Sequence, residues 1–223
     1  MERSKIIIII PAKNEMKTIY EIVKKSKKIS KVLVVDDKSE DKTIYYAKRA
    51  GAIVIKTSQK NGYQAAILSG LKFAKKKKFY AAITMDADGQ HKLSDLKKTK
   101  KFIFQGYELV LGIRNLKGRF SEFIFNFITK KLWGISDVLC GLKGFRLDKI
   151  KLNDLNVDYF SICTFLPIYL KKNKAKTKQF KININNREDN SRFGSIFVGN
   201  IKILFAMTLN MLFIFFLDLK KKK

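Results

Sequence analysis

Short apolar runs alternate with stretches of helical periodicity through the first half of the chain. An unbroken isoleucine run, Ile6 to Ile10, opens the series, and residues 31–35, 52–56, 80–85 and 108–113 repeat the type. Counting residue 5, the first run covers 5–10. Runs that are apolar at successive positions predict strands covered on both faces. Between them, residues 15–28, 41–50, 63–76 and 94–104 carry apolar side chains three and four apart, as amphipathic helices do. Asp41 and Ser94 are the expected N-caps, and Gly51 the expected stop of the second helix. This alternation predicts an α/β fold with a mostly parallel central sheet. The second half is less regular. Residues 120–133 read as an amphipathic helix, 139–146 as a loop or strand containing Gly141 and Gly144, 165–172 as a helix and 177–184 as a strand. A polar loop, 185–195, then precedes a long apolar C-terminal segment, and no internal repeat is evident.

In open α/β sheets, ligands bind outside the carboxyl ends of the strands. Polar clusters recur at those positions. Pro11-Ala12-Lys13-Asn14-Glu15 follows the first strand, Asp36-Asp37 the second, Asp86-Ala87-Asp88-Gly89-Gln90 the fourth and Arg114 the fifth. One such cluster alone reads as a turn or a cap. Recurrence at successive strand ends points to a site. Residues i and i+2 of an extended chain point the same way, so Asp86 and Asp88 can converge on one hard cation. Such a cation keeps most of its coordination for phosphate oxygens and water. Arg114 and Arg119 are candidates to clamp phosphate oxygens through bidentate hydrogen bonds, against the alternative of plain surface charges.

Composition narrows the class. A chain of 223 residues with 46% hydrophobic content fits one domain, or one domain with an appendage. Cys140 and Cys163 are the only cysteines, far apart and without metal-ligand spacing, which suits a reducing compartment. No signal peptide is visible, since the isoleucine run is too short for one and leads straight into Pro11. The charge is extreme, with 47 Lys and Arg against 19 Asp and Glu, formally +28. Solvated lysine-rich helix faces, attraction to anionic lipid or substrate, and nucleic-acid binding all produce such an excess. The chain has no zinc finger, RNP-type motif or aromatic-interleaved basic stripe, so no nucleic-acid partner is expected.

Five motifs in order resemble those of the glycosyltransferase family 2 enzymes, in particular the branch like dolichyl-phosphate mannose synthase. Ile8-Ile9-Ile10-Pro11-Ala12-Lys13-Asn14-Glu15 is similar to the family's opening IPAYNE, with Lys13 where tyrosine is usual. Val34 to Thr43 is similar to VVDDGSTDGT, Asn61-Gly62-Tyr63-Gln64-Ala65-Ala66-Ile67 to NxGxxxAI, and Met85 to His91 to the metal motif. Asp137 to Arg146 is similar to DxxCGxKxFR. The resemblance spans about residues 5 to 195 and implies a nucleotide-diphospho-sugar transferase (GT-A, Rossmann-like) fold. It also implies a donor site of Pro11, Ala12, Lys13, Glu15, Asp36, Asp37, Asp86 and Ala87 for a UDP- or GDP-linked sugar. Asp86, Asp88 and Gln90 would hold Mg2+ or Mn2+ against the diphosphate, with Asp88, Arg114 and Arg119 serving the catalytic step. Residues 187–194 are similar to the family's RxxGxSKYG loop, shortened by one residue, which makes Arg187, Ser191 and Arg192 candidate ligands of an acceptor phosphate. Cys163-Thr164 stands where many relatives carry His-Arg. Cys163 reads as a small buried residue, because inverting transfer needs no covalent intermediate.

The expected activity is metal-dependent inverting transfer of a sugar to a polyprenyl phosphate, whose nucleophile is already an oxyanion. A saccharide acceptor in cell-surface glycan synthesis is the alternative. It requires a general base, for which Asp137 is the candidate. A non-catalytic, basic membrane- or nucleic-acid-binding protein is the remaining class, and the clustered aspartates speak against it. The expected organisation is a catalytic domain over 1–195 and a membrane-associated segment over 196–223. Residues 203–217 are apolar apart from Thr208 and Asn210, short of the ~20 a span needs. An interfacial helix, a short anchor and a span with Lys202 snorkelling all remain open, ahead of a buried core helix. The lysine tail favours the anionic, cytoplasmic face of a membrane.

Overall fold

The protein is described here from a computed structural model covering residues 5–57, 62–115, 120–150 and 162–184, and positions 200, 201, 203–209, 211, 212 and 214. The isoleucine run forms β1 (Ile6–Ala12), buried along its whole length. It pairs in parallel with β2 (Lys31–Asp36) on one side and β4 (Ala81–Thr84) on the other. Adding β3 (Ile53–Lys56), β5 (Leu109–Arg114), β6 (Lys143–Arg146) and β7 (Thr177–Ile182) gives a seven-stranded sheet of order β3-β2-β1-β4-β6-β5-β7. Only β6 runs antiparallel to its neighbours β4 and β5. The carboxyl ends of the other six strands therefore share one edge.

Alternation along the strands sorts the side chains into two layers. Ile7 and Ile9, with Leu33 and Val35, meet the helices α3 (Gly62–Lys76), α5 (Phe120–Trp133) and α6 (Ile162–Lys172). Ile6, Ile8 and Ile10 meet α1 (Ile19–Lys27), α2 (Thr43–Arg49) and α4 (Leu93–Phe104). This is the doubly covered, mostly parallel sheet that the apolar runs imply.

Helix starts depart from the expectations in an informative way. α1 begins at Ile19 rather than residue 15. Asn14 takes φ 54°, and the Glu15 N–H donates to Thr43 Oγ1 at 2.7 Å, so residues 13–18 form a loop. Asp41 caps α2 from one residue before the Lys42 cap position, its Oδ1 accepting the Thr43 N–H at 2.9 Å. Ser94 is not a cap. α4 starts at Leu93 after an extended Lys92 (ψ 148°), which leaves Ser94 inside the first turn. Gly51 does end α2: at φ +86° its N–H reaches the Lys48 carbonyl at 2.8 Å, while the Ala52 N–H reaches that of Ala47 at 3.0 Å.

The described positions between 200 and 214 are helical. Ile203 and Ile214 are buried in the layer that contains α5 and α6. Asn200 Oδ1 accepts from Ser121 Oγ at 2.6 Å, joining this segment to the first turn of α5. Among the described residues, no helix is long and apolar enough to cross a membrane.

Candidate active site

Loops from three adjacent strand ends are tied into one floor. The Asn14 N–H donates to Ser39 Oγ at 3.0 Å, and the Glu40 N–H returns to Asn14 Oδ1 at 2.9 Å. The Met16 N–H reaches Asp41 Oδ2 at 3.1 Å. Thr18 Oγ1 donates to the Ala87 carbonyl at 2.7 Å, which links the loop after β1 to the loop after β4. Pro11 and Ala12 lie level with Val35 and Asp36 in the β1–β2 register. Asp36 is almost wholly buried and takes the Ser39 N–H on both carboxylate oxygens at 3.3 Å. The Asp37 carboxylate lies over Gly62, the first residue of α3, where a helix N-terminus favours negative charge. Pro11, Ala12, Lys13, Glu15, Asp36, Asp37, Asp86, Ala87, Asp88 and Gln90 thus gather at one edge.

Asp86 is held from several directions. Tyr63 Oη donates to its Oδ1 at 2.7 Å, and His91 Nε2 lies 3.5 Å from its Oδ2. A Cβ placed on Gly141 would sit 2.0 Å from Oδ2, so only glycine lets the loop before β6 approach this carboxylate. Burial works against ionisation here, but the His91 and Tyr63 hydrogen bonds and the Lys143 charge outweigh it and bring the Asp86 carboxyl down to about 2. Asp86 is therefore a carboxylate at any physiological pH. Burial and the Asp86 charge push the Tyr63 phenol the other way, so it remains a donor.

A carboxylate of this kind suits a hard divalent cation. Among the described residues, no three His, Cys, Asp or Glu side chains converge as a closed cage. An ion shared with a diphosphate needs fewer protein ligands than a cage provides. The Asp86-Ala87-Asp88 segment fits that role, its second carboxylate turned so that Asp88 Oδ1 accepts the Gln90 N–H at 3.1 Å.

Arg114 does not join this cluster. Its Nε and one terminal nitrogen donate to the two oxygens of Asp137 at 2.8 and 2.9 Å, and the same nitrogen reaches Glu122 at 3.1 Å. The expected phosphate clamp is instead a half-buried fork that joins the end of β5 to α5 and to the loop before β6. Asp137 changes role with it. Burial opposes its ionisation, yet the Arg114 guanidinium holds the carboxyl below its usual range, which makes Asp137 a poor general base. Burial pushes both the Cys140 and the Cys163 thiols up to about 12, so neither is a thiolate nucleophile. Arg119, Arg187, Ser191 and Arg192 lie outside the described residues.

Sequence reasoning left Tyr63 and Lys143 without a role. Both line a small pocket with Thr84, Gly141 and Cys163 beside Asp86. Lys143 is buried in β6, its ammonium donating to the Cys140 carbonyl. A lysine between Leu142 and Gly144 in an apolar stretch was the available signal, because a buried lysine requires partners.

The sequence pattern of Glycosyl transferase family 2 matches residues 7–165, from β1 through the start of α6. The chain belongs to that family. An uncharacterised protein of Methanocaldococcus jannaschii is 33% identical over 96% of this chain and 95% of its own. The UDP-N-acetylglucosamine–dolichyl-phosphate N-acetylglucosaminyltransferase of Methanococcus voltae is 28% identical, covering 91% of this chain and 94% of its own. Glucosyl-3-phosphoglycerate synthase of Mycobacterium tuberculosis, solved with Mn2+, UDP and glucosyl-3-phosphoglycerate, superposes with a TM-score of 0.72. That match covers 92% of this chain and 80% of the synthase at 16% identity, and it establishes the shared fold. This family 2 glycosyltransferase thus carries its Asp-Ala-Asp motif on the sheet edge where the loops after β1 and β2 also lie.

Proposed function

We propose that this glycosyltransferase moves a sugar from a UDP- or GDP-linked donor to a polyprenyl phosphate, with inversion, at the cytoplasmic face of a membrane. A bond forms between an acceptor phosphate oxygen and the anomeric carbon of the donor. The bond from that carbon to the β-phosphate oxygen breaks, and the nucleoside diphosphate leaves. Asp86, Asp88 and Gln90 would hold Mg2+ or Mn2+, which when bound supplies positive charge for the departing diphosphate. Tyr63 and His91 fix the Asp86 carboxylate in place. The loop floor built on Pro11, Ala12, Lys13, Glu15, Asp36 and Asp37 would receive the nucleoside. Arg119, Arg187, Ser191 and Arg192 are the proposed phosphate contacts.

The observation that carries the donor half is the Asp86 carboxylate, ionised and held on three sides at a strand end. The acceptor half is supported by the state of Asp137. A saccharide hydroxyl needs a base, and the one carboxylate proposed for that task is committed to Arg114. A phosphate acceptor needs none. The relative from Methanococcus voltae, whose name specifies a dolichyl-phosphate acceptor, points the same way. The test is calorimetric binding of UDP and GDP with and without Mn2+. Metal-dependent binding that is lost in Asp88→Ala supports the donor site, and binding indifferent to both metal and substitution refutes it.

A further inference from the structure

Two buried side-chain atoms have no hydrogen-bond partner among the described residues, His91 Nδ1 and Asp95 Oδ2. They belong to neighbouring positions, His91 in the loop after β4 and Asp95 in the first turn of α4. The side chain of His91 is only 3% exposed, and Asp95 only 4%. Leaving a polar atom unbonded at that depth is costly, so two such atoms side by side call for a shared partner. Burial pushes the Asp95 carboxyl up, while the charges of Lys98, His91 and Lys92 pull it back, which places the ring within electrostatic reach of the carboxylate. The carboxylate also accepts the backbone N–H of Lys92, the cap position of α4. That bond occupies one oxygen and leaves Oδ2 unsatisfied.

The other side of the ring narrows what that partner is. His91 Nε2 lies 3.5 Å from Asp86 Oδ2, and the ionised Asp86 can only accept, so Nε2 carries a hydrogen. Nδ1 and Asp95 Oδ2 form no direct bond with each other. One water supplies two hydrogens and a lone pair, and buried polar gaps of this kind are where proteins hold water. We infer that Asp95 is a positioning residue for Asp86, joined by one buried water to His91 and through the His91 ring to the Asp86 carboxylate. The inference rests on the reading of Asp86 as a metal ligand. Its consequence is order. Residues 85–92 have no regular structure of their own, whereas α4 is a twelve-residue helix with Leu96, Thr99 and Ile103 buried. Asp95 thus ties the loop to a packed element. The Asp86 side chain keeps 32% of its surface exposed, which leaves it free to meet an ion while the ring holds it. Partners that orient a metal ligand in this way typically govern metal affinity by roughly ten- to a hundredfold.

The test uses the untagged full-length protein, whose single histidine makes the nitrogen NMR spectrum of labelled histidine a report on one ring. Recorded without metal or nucleotide, the wild-type ring should carry a proton on Nε2, and Asp95→Ala should shift Nδ1 more than Nε2. Mn2+-dependent binding of UDP or GDP should weaken ~tenfold or more in Asp95→Ala. Asp95→Asn, which keeps a polar group in the same place, should recover most of it. Ile103→Val, a buried change further along α4, should lower the melting temperature and move neither the ring signals nor the binding. A wild-type ring protonated on Nδ1 alone overturns the inference, and that result depends on no variant folding. So does an Nδ1 signal unmoved in Asp95→Ala, nucleotide binding unchanged where the signal moves, or an equal loss of binding in Ile103→Val. Because the ring is read in the metal-free protein, the two readings fail separately. Wild-type protein that binds no nucleotide with Mn2+ refutes the donor site, whereas an unmoved ring signal beside intact metal-dependent binding refutes only the role of Asp95.

Discussion

Asp86 shows how far a single residue could be read in advance. Its spacing from Asp88 predicted a cation site, and its place at a strand end put that site on the binding edge. What holds it was not legible. Tyr63, His91 and Gly141 reach it from another helix, from its own loop and from the loop before β6, and only the folded chain brings them together. Arg114 is the reverse case. An arginine at a strand end fits a phosphate clamp equally well on paper, but a partner such as Asp137 is chosen by tertiary position. Gly141→Ala tests the Asp86 environment directly. The added methyl meets the carboxylate at 2.0 Å, so Asp86 must turn away. Metal-dependent nucleotide binding should fall by ~tenfold or more for a misplaced ligand, with the melting temperature little changed. The acid limb gives a second check on the metal-free protein. Because the folded-state value is depressed, the stability Asp86 contributes is present above the ordinary 3.8 and is lost as pH falls toward about 2. Denaturant titrations should show Asp86→Asn losing less stability than wild type across that window.

At the scale of elements, continuous apolar runs predict strands well even where the strand is short, as β3 (residues 52–56 expected) and β4 (80–85 expected) show, whereas a strand without such a run is not marked in the sequence. β1, β2 and β5 were predicted within a few residues, because their apolar runs are continuous. The four residues of β6 contain a lysine, a glycine and an arginine, and carry no strand pattern of their own. That strand exists because β4 and β5 both offer it an antiparallel partner. Ser94 misleads for a related reason: an extended Lys92 sets the start of α4, and an adequate cap residue two positions late is overruled. The contact of α3 with β1 yields a prediction at this scale. A Cβ on Gly70 would lie 2.4 Å from Ile9 Cγ2 in the middle of the sheet. Gly70→Ala should therefore destabilise the protein by ~1–3 kcal/mol in urea unfolding, against the small gain that alanine brings to an ordinary helix interior.

The whole molecule combines a cluster of aspartates at one sheet edge with a lysine-rich chain. Composition announced the charge but left three explanations open, and the fold arranges them by place. Aspartates gather at the carboxyl edge, where a binder of polyanions would gain nothing from them. Family membership accounts for the ordered motifs, and the commitment of Asp137 to Arg114 is the reason for proposing an acceptor that brings its own negative oxygen. The most direct test of that account is transfer itself. Purified enzyme, Mn2+ and a panel of radiolabelled UDP- and GDP-sugars are incubated with anionic vesicles, with and without polyprenyl phosphate. The account predicts an acid-labile, organic-extractable sugar product that requires the metal and the polyprenyl phosphate, is lost in Asp88→Ala and survives in Asp137→Asn so long as that variant remains folded. Sugar transfer to a saccharide that proceeds without polyprenyl phosphate and stops in folded Asp137→Asn would contradict it.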